Sequence, residues 1–298
     1  MSILEIFKSV RCGHKEFNVS LKKFTTYKLD TIASLIVTPR NVEDLKKILK
    51  LINENNLNYK ILGTGSNLIF ASPKYDGVLI KLDKFDEVKI IGTKVIAGAG
   101  YNLTKLAMKT ANSSLTGLEF ASGIPGTLGG GVYMNAGAYK SDMGYVVYSV
   151  RVLTPELEIK ELYNKDLDYH YRSSFFQSHK DYIILEATLK LRKGKKEAIL
   201  EVIKDRRQRR IDSQPLEFPN AGSVFRNPEG DYAGRLIEEC NLKGFHINDA
   251  YISEKHANFI VNKGNATGKD IVDLINKAKT EVKNKYNIDL KVEQEIVE

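Results

Sequence analysis

Gly123 to Tyr139 reads GIPGTLGGGVYMNAGAY. Glycine makes up about a third of this stretch, and no charged residue interrupts it. Glycine loses more conformational freedom on folding than any other residue, so it is kept where the backbone turns sharply or something approaches the main chain closely. A second such stretch, LGTGSNLI, runs from Leu62 to Ile69. Both follow or adjoin predicted strands. Successive backbone amides in loops of this kind form concave anion sites that hold a phosphate without a charged side chain. Neither is a Walker-type loop, since GxxxxGK followed by Ser or Thr is absent. Neither is the dinucleotide fingerprint, since GTGSN lacks the third glycine and no helix clearly follows it. Spacing alone leaves a structural turn or an anion site open for each loop. Two such loops in one chain favour a pyrophosphate site.

Around these loops the 298 residues divide into three α/β or α+β units. In residues 1–81, PRNVEDLKKILKLINENN predicts a helix capped by Asn41, with Val42, Leu45, Ile48, Leu49 and Ile52 on one face. YKIL and GVLIKL read as strands. Residues 82–194 are richer in strand. EVKIIGTKVIAGAG predicts two strands around Gly92, NLTKLAMKTANSS a short helix, and YVVYSVRVLTPELEIKEL a hairpin turning near Pro155. In DYIILEATLKLRKG, Ile183, Leu185, Ala187, Leu189 and Leu191 share one strand face. Residues 195–298 open with a helix over about 195–211. AGRLIEECNLKG predicts a short helix, DAYIS and NFIVN strands, and TGKDIVDLINKAKTEVKNKY a helix with Thr267 as cap and Asp270 at its third position. LKVEQEIV predicts a closing strand. No internal repeat or low-complexity linker is present.

Hydrophobic content of 42% and charged content of 28% are those of a globular protein. No apolar run is long enough to span a bilayer, and the start MSILEIFKSVRCGHKEF lacks the features of a secretory signal. A soluble cytoplasmic protein is expected. Cys12 and Cys240 form no CxxC pair and have no metal-ligand neighbours, so neither a disulfide nor a metal site is expected. The formal net charge of +8 suits either nucleic acid or small anions such as pyrophosphates. The densest basic run, KDRRQRR from Lys204 to Arg210, lies on the predicted helix with Ala198, Ile199, Val202 and Ile203. It reads as a solvated helix face ending before Pro215, and no aromatic–basic interleaving supports RNA binding.

Five motifs occur in order: GTGSNLI, GLEFASGIPGTLGGGVYMNAGAY, YHYRSSFF, NAGSVFRNP and AGRLIEECNLKGF. Together the sequence resembles the UDP-N-acetylenolpyruvoylglucosamine reductase family, from about Phe24 to the end. The resemblance implies an α+β, three-domain flavoenzyme: an FAD-binding module of the vanillyl-alcohol oxidase type (1–81 and 82–194) plus a C-terminal substrate-binding α/β domain (195–298). The implied FAD contacts are Gly63, Thr64, Gly65, Ser66, Asn67 and Leu68 in the first loop. In the second region they are Gly117, Ser122, Gly123, Ile124, Pro125, Gly126, Gly129, Gly130, Asn135, Ala136 and Gly137. The first loop contains no histidine, so FAD is expected to be non-covalent. The segment between Arg172 and Ser223 is short, as in the subgroup without a substrate-covering insertion. Asp30 and Thr31 stand where the family usually has two glycines.

The implied reaction belongs to peptidoglycan precursor synthesis and so to cell wall biogenesis. NADPH reduces FAD, the flavin gives hydride to C3 of the enolpyruvyl ether, and protonation of C2 yields UDP-N-acetylmuramate. Ser223 matches the family's proton donor and Arg172 the arginine that grips the substrate carboxylate, a role its planar fork suits. Glu293 in Leu290-x-x-Glu293 matches the catalytic glutamate, although Gln294 follows where an apolar residue is usual. Glu295, on the same predicted strand face, is the alternative. Tyr171, Arg226 and Asn227 are candidate substrate contacts. A different flavin oxidase would keep both glycine loops but need not have GSVFRNP. A basic nucleic-acid-binding protein would be colourless and bind in a steeply salt-dependent way.

Overall fold

A computed structural model describes residues 2–298. Contacts gather the chain into two compact units, each assembled from separated stretches. The first comprises the chain up to Glu16, Ile36–Gly63 and Val78–Arg209. The second comprises Phe17–Leu35, Thr64–Gly77 and Arg210–Glu298.

In the first unit, a short helix α1 (Ile3–Phe7) precedes α2 (Val42–Glu54). Asn41 caps α2 by accepting the Asp44 N–H at 2.9 Å, and Leu45, Ile48, Leu49 and Ile52 are buried as their spacing predicts. Asp44 is itself buried, and the Arg40 fork reaches it with Nε at 2.6 Å and Nη2 at 3.0 Å. The strand Tyr59–Ile61 runs parallel to Val78–Ile80. The main sheet is antiparallel, with strand order Ile159–Tyr163, Val147–Leu153, Ile183–Lys190, Lys94–Gly98, Val88–Ile91. Its hairpin turns near Pro155, as expected. Along Ile183–Lys190 the predicted face is buried, but so are Ile184 and Thr188 on the other, so this central strand is covered on both sides.

Helix α3 (Leu103–Asn112), capped by Asn102, precedes the glycine-rich region, and α4 (Leu128–Tyr133) lies within it; α5 (Phe175–Ser178) follows YHYRSS. Helix α6 (Lys196–Ser213) ends before Pro215, but only Ile199 and Ile203 are buried along it, packed with Ala111. Val202 is 40% exposed, so the apolar stripe is narrower than its sequence spacing suggests.

The second unit has an apolar core in which Tyr27, Leu29 and Ile69 meet Val224, Phe225 and the buried faces of two helices. These are α7 (Ala233–Glu239) and α8 (Gly268–Tyr286). Helix α8 begins with the expected capping box: Thr267 Oγ1 accepts the Asp270 N–H at 3.1 Å, and Asp270 Oδ2 accepts the Thr267 N–H at 2.8 Å. It lies on a small antiparallel sheet of His246–Ile247, Ala250–Ile252 and Ile260–Asn262. The predicted closing strand is shorter than expected. Only Glu295–Val297 is regular, paired in parallel with Leu68–Phe70, while Val292 makes an isolated bridge to Phe225. The alternation that placed Glu293 and Glu295 on one strand face therefore does not hold through 290–294.

Asp30 and Thr31 fit without the glycines usual in the family. Neither has a positive φ. Asp30 accepts from the Ser20 hydroxyl at 2.5 Å, and Thr31 donates to the Ser72 carbonyl at 3.2 Å.

Candidate active site

The stretch Gly123–Tyr139 is only partly loop, because its glycine run lies inside α4. Thr127 caps this helix, its hydroxyl accepting the Gly130 N–H at 3.3 Å. The neighbours explain two of the glycines. A Cβ on Gly129 would come within 2.9 Å of the Ala99 Cβ, and one on Gly131 within 3.0 Å of Leu103. The protein itself is thus what approaches the chain at these two positions. Gly130 is different: within 4 Å of its Cβ position, outside the helix backbone, lies only the Thr127 hydroxyl, at 3.5 Å. Thr127 was not singled out from the sequence, although a threonine three residues before a glycine amide carries a helix-cap signal.

The other predicted residues of the first unit lie before and after this helix in sequence, each with contacts of its own. Gly63 accepts from Lys81 Nζ at 3.2 Å, and a Cβ on it would meet the Thr127 hydroxyl. The Gly117 N–H is held by Glu119 at 2.8 Å. The Ser122 hydroxyl donates to the Glu119 carbonyl in the short 3-10 helix that ends at Gly123; Ile124, Pro125 and Gly126 lead from there to Thr127. Asn135 is buried with φ +43; it donates to the His170 carbonyl at 2.8 Å and accepts the Gly144 N–H at 2.9 Å. The Ala136 N–H returns to the Gly131 carbonyl. Arg172, also left-handed at φ +55, donates through Nη2 to the Gly137 carbonyl at 2.8 Å and lies over the exposed Tyr171 ring. The structure therefore brings YHYRSSFF onto the glycine-rich stretch.

In the second unit, Ser223 bridges to Phe259, the Val224 N–H donates to the Asn258 carbonyl, and the Glu293 N–H donates to the Val224 carbonyl at 2.8 Å. Glu293 is thus anchored one residue beyond Ser223. Asn67 joins them, donating to the Glu293 carbonyl at 3.2 Å and accepting the Glu295 N–H at 2.9 Å. Gly65 has φ +62, and a Cβ there would come within 2.7 Å of the Phe24 carbonyl; Thr64 donates to Ser66 at 3.2 Å. Leu68 begins the strand paired with Glu295–Val297. The Arg226 backbone is fixed by the Lys291 carbonyl, and Asn227 Oδ1 accepts the Ala233 N–H at the start of α7.

Sequence reasoning passes over Asn258 and leaves out His256, since a lone histidine is more often structural. Asn258, 4% exposed, accepts the Phe225 N–H at 2.9 Å and donates to the Phe225 carbonyl at 2.8 Å, clamping the segment after Ser223. His256 Nδ1 accepts the Asn258 N–H at 3.2 Å; burial, aided by the Lys243 charge, holds this imidazole below its ordinary pKa and favours the neutral ring that can accept. Asn258's partner Phe225 is distant in sequence, so no local pattern marks this clamp.

The residues of the first unit fit a cofactor bearing a pyrophosphate. GIPGTLGGG has no charge, Gly130 leaves room at the main chain, and the Tyr169 hydroxyl is buried with no hydrogen-bond partner among the described residues. No cluster of three or more His, Cys, Asp or Glu placed to hold a metal occurs among the described residues. No helix there is long and apolar enough to cross a membrane.

Residues 33–163 match the family described as FAD binding domain, and residues 214–297 match the UDP-N-acetylenolpyruvoylglucosamine reductase C-terminal domain. The chain is 43% identical to the UDP-N-acetylenolpyruvoylglucosamine reductase of Clostridium novyi, over 94% of this chain and 91% of the relative. It is 39% identical to that of Bacillus subtilis, over 99% and 98%. A crystal structure of the Thermus caldophilus reductase superposes with a TM-score of 0.81 at 32% identity, covering 96% of this chain and 98% of that one.

Proposed function

The chain belongs to the UDP-N-acetylenolpyruvoylglucosamine reductase family, and on that premise we propose how its own residues divide the work. It is an FAD-dependent oxidoreductase of peptidoglycan precursor synthesis that reduces UDP-N-acetylglucosamine enolpyruvate to UDP-N-acetylmuramate. When bound, FAD supplies hydride transfer from NADPH, the proposed donor, to C3 of the enol ether. NADPH and UDP-sugars are met in the cytoplasm, the proposed location.

Gly63–Leu68, Gly117, Ser122–Gly126, Gly129, Gly130 and Asn135–Gly137 hold the cofactor non-covalently in this reading. Uncharged loops with room at Gly130 support it. The vanillyl-alcohol oxidase type of module, and the division into two FAD-binding parts (1–81, 82–194) and a substrate domain (195–298), are part of the same proposal. So is membership of the subgroup without the covering insertion.

Arg172 binds the substrate carboxylate. Its left-handed backbone and its bond to the Gly137 carbonyl hold the guanidinium in one orientation, as a bidentate anion contact needs. Tyr171 lies against that guanidinium, and Arg226 and Asn227 contact the substrate, Arg226 at its diphosphate charge. As hydride arrives at C3, negative charge builds at C2 and on the carboxylate. Ser223 delivers its proton to C2, and Glu293 assists by polarising the enol carboxylate. A serine hydroxyl is a weak acid and serves here because the carbon it protonates is strongly basic. The observation that carries this assignment is the Glu293 N–H to Val224 carbonyl bond, which fixes the Glu293 backbone against the residue next to Ser223.

The test is anaerobic. NADPH should bleach the oxidised-flavin band, and UDP-N-acetylglucosamine enolpyruvate should restore it. Ser223→Ala should leave bleaching intact and slow restoration by about a hundredfold or more. Equal loss of both half-reactions would remove Ser223 from the proton-donor role.

A further inference from the structure

Gln294 stands beside Glu293, where an apolar residue would pack without any polar demand. It is 3% exposed. Its Nε2 donates to the carbonyls of Ala221 and Gly222, both at 3.1 Å. Its Oε1 accepts the Tyr27 hydroxyl at 2.9 Å. Two carbonyls can only accept, so the amide nitrogen must face them and the amide oxygen must face Tyr27. Both acceptor contacts of the amide nitrogen and one lone pair of the amide oxygen are therefore assigned.

The carbonyls it holds belong to the two residues immediately before Ser223. The residue before Gln294 is bonded to the residue immediately after Ser223, through Glu293 N–H and the Val224 carbonyl at 2.8 Å. Ser223 is thus gripped on both sides by two adjacent residues of one segment. Gly222, at φ +77, makes the chain turn at this point, and its N–H is held by Asn220 at 3.0 Å.

Tyr27 is a fixed anchor for this grip. Its side chain is fully buried, and its backbone carbonyl accepts from Asn262 Nδ2 at 2.9 Å. Asn262 in turn accepts the N–H groups of Gly264 and Ala266 and donates its own N–H to the Pro219 carbonyl. The connection runs from Asn262 through Tyr27 and Gln294 to the backbone of Ala221 and Gly222. A buried polar network of this kind selects one geometry over its neighbours.

We propose that Gln294, backed by Tyr27, is a positioning residue that sets the Ser223 hydroxyl against the carbon it protonates, and so controls the substrate half-reaction alone. This rests on the reading of Ser223 as proton donor. Gln294 touches neither cofactor nor substrate in this role; it acts through the backbone of Ala221 and Gly222.

The experiment measures the two half-reactions separately in the flavin-loaded enzyme, for wild type, Ser223→Ala, Gln294→Leu, Gln294→Glu and Tyr27→Phe. Gln294→Leu should keep flavin content and the rate of bleaching by NADPH within about twofold. It should slow restoration by substrate about ten- to a hundredfold, the range that a displacement near 1 Å produces. Tyr27→Phe, which keeps the ring and the two carbonyl contacts, should slow restoration by a few-fold, again without affecting bleaching. Gln294→Glu keeps the shape but faces the carbonyls with a donor only when protonated, so its restoration rate should rise as pH is lowered. If the leucine variant does not fold, the other two decide. Parallel loss of bleaching and restoration in the Gln294 and Tyr27 variants would make the contact merely structural and overturn the proposal. Slow restoration in Ser223→Ala but wild-type rates in these variants would overturn it too, leaving the Ser223 reading intact. Fast restoration in Ser223→Ala would defeat that reading, and the proposal with it.

Discussion

Asp44 is a carboxylate at a nearly dry position, 2% exposed in the first turn of α2. The Arg40 fork beside it holds its pKa below the ordinary carboxylate value, although burial pulls the other way. A carboxyl with a lowered folded pKa contributes its full stabilisation above the unfolded value, near 4, and loses it as the pH falls through the folded one. Asp44→Asn is expected to cost about 2 kcal/mol at neutral pH. The gap to wild type should narrow on acidification below about pH 4. Denaturant titrations across that range check this, and a constant gap would rule out the charge as the cause. At this scale, legibility from sequence was uneven. Ser223 and Arg172 stand in motifs whose order and spacing carry the resemblance, whereas Glu293 rests on Leu290-x-x-Glu293, with Glu295 as the alternative. Gln294 read as a departure, because the hydroxyl that explains it lies 267 positions away, at Tyr27.

Elements that announce themselves locally were legible. Asn41 and Thr267 mark helix starts because a side-chain oxygen there meets an amide that the helix cannot satisfy. The cap of α8 is the stronger of these, since Asn248 also donates to Asp270 at 2.8 Å. Thr267→Ala should therefore cost about 1 kcal/mol. In a thermal melt it should lower the midpoint by roughly 2–4 °C, and no shift would mean that Asp270 and Asn248 hold the start unaided. Helix α4 was not legible. Three consecutive glycines cost about 1 kcal/mol each in helix propensity, so the local signal opposes the helix. Contacts with Ala99 and Leu103, which sequence order does not reveal, override it. The closing strand was overread for a related reason: at 290–294 the side chain of Gln294 serves carbonyls at 221 and 222 rather than a regular strand alternation.

For the molecule as a whole, the formal net charge of +8 acts on the anions it uses. Its field reaches about one Debye length, roughly 10 Å at 0.1 M salt, so it affects encounter more than chemistry. Raising salt from about 20 mM to about 300 mM should lower kcat/KM several-fold while leaving kcat nearly unchanged. Steady-state assays over that range test this; a matching fall in kcat would point to damage at the site instead. The division into three sequence regions was suggested by composition and pattern, but the contact units interleave distant stretches, which no local window reveals. That interleaving also orders events in time. Asn67 and its partner Glu293 are separated by 226 positions. A ribosome adding about 5–20 residues per second would leave the strand Leu68–Phe70 without Glu295–Val297 for roughly 10–45 s. During that interval the newborn chain presents an open strand edge just after GTGSN. On the proposal that Gly63–Leu68 hold the flavin, cofactor capture then becomes one of the last steps in the making of this enzyme.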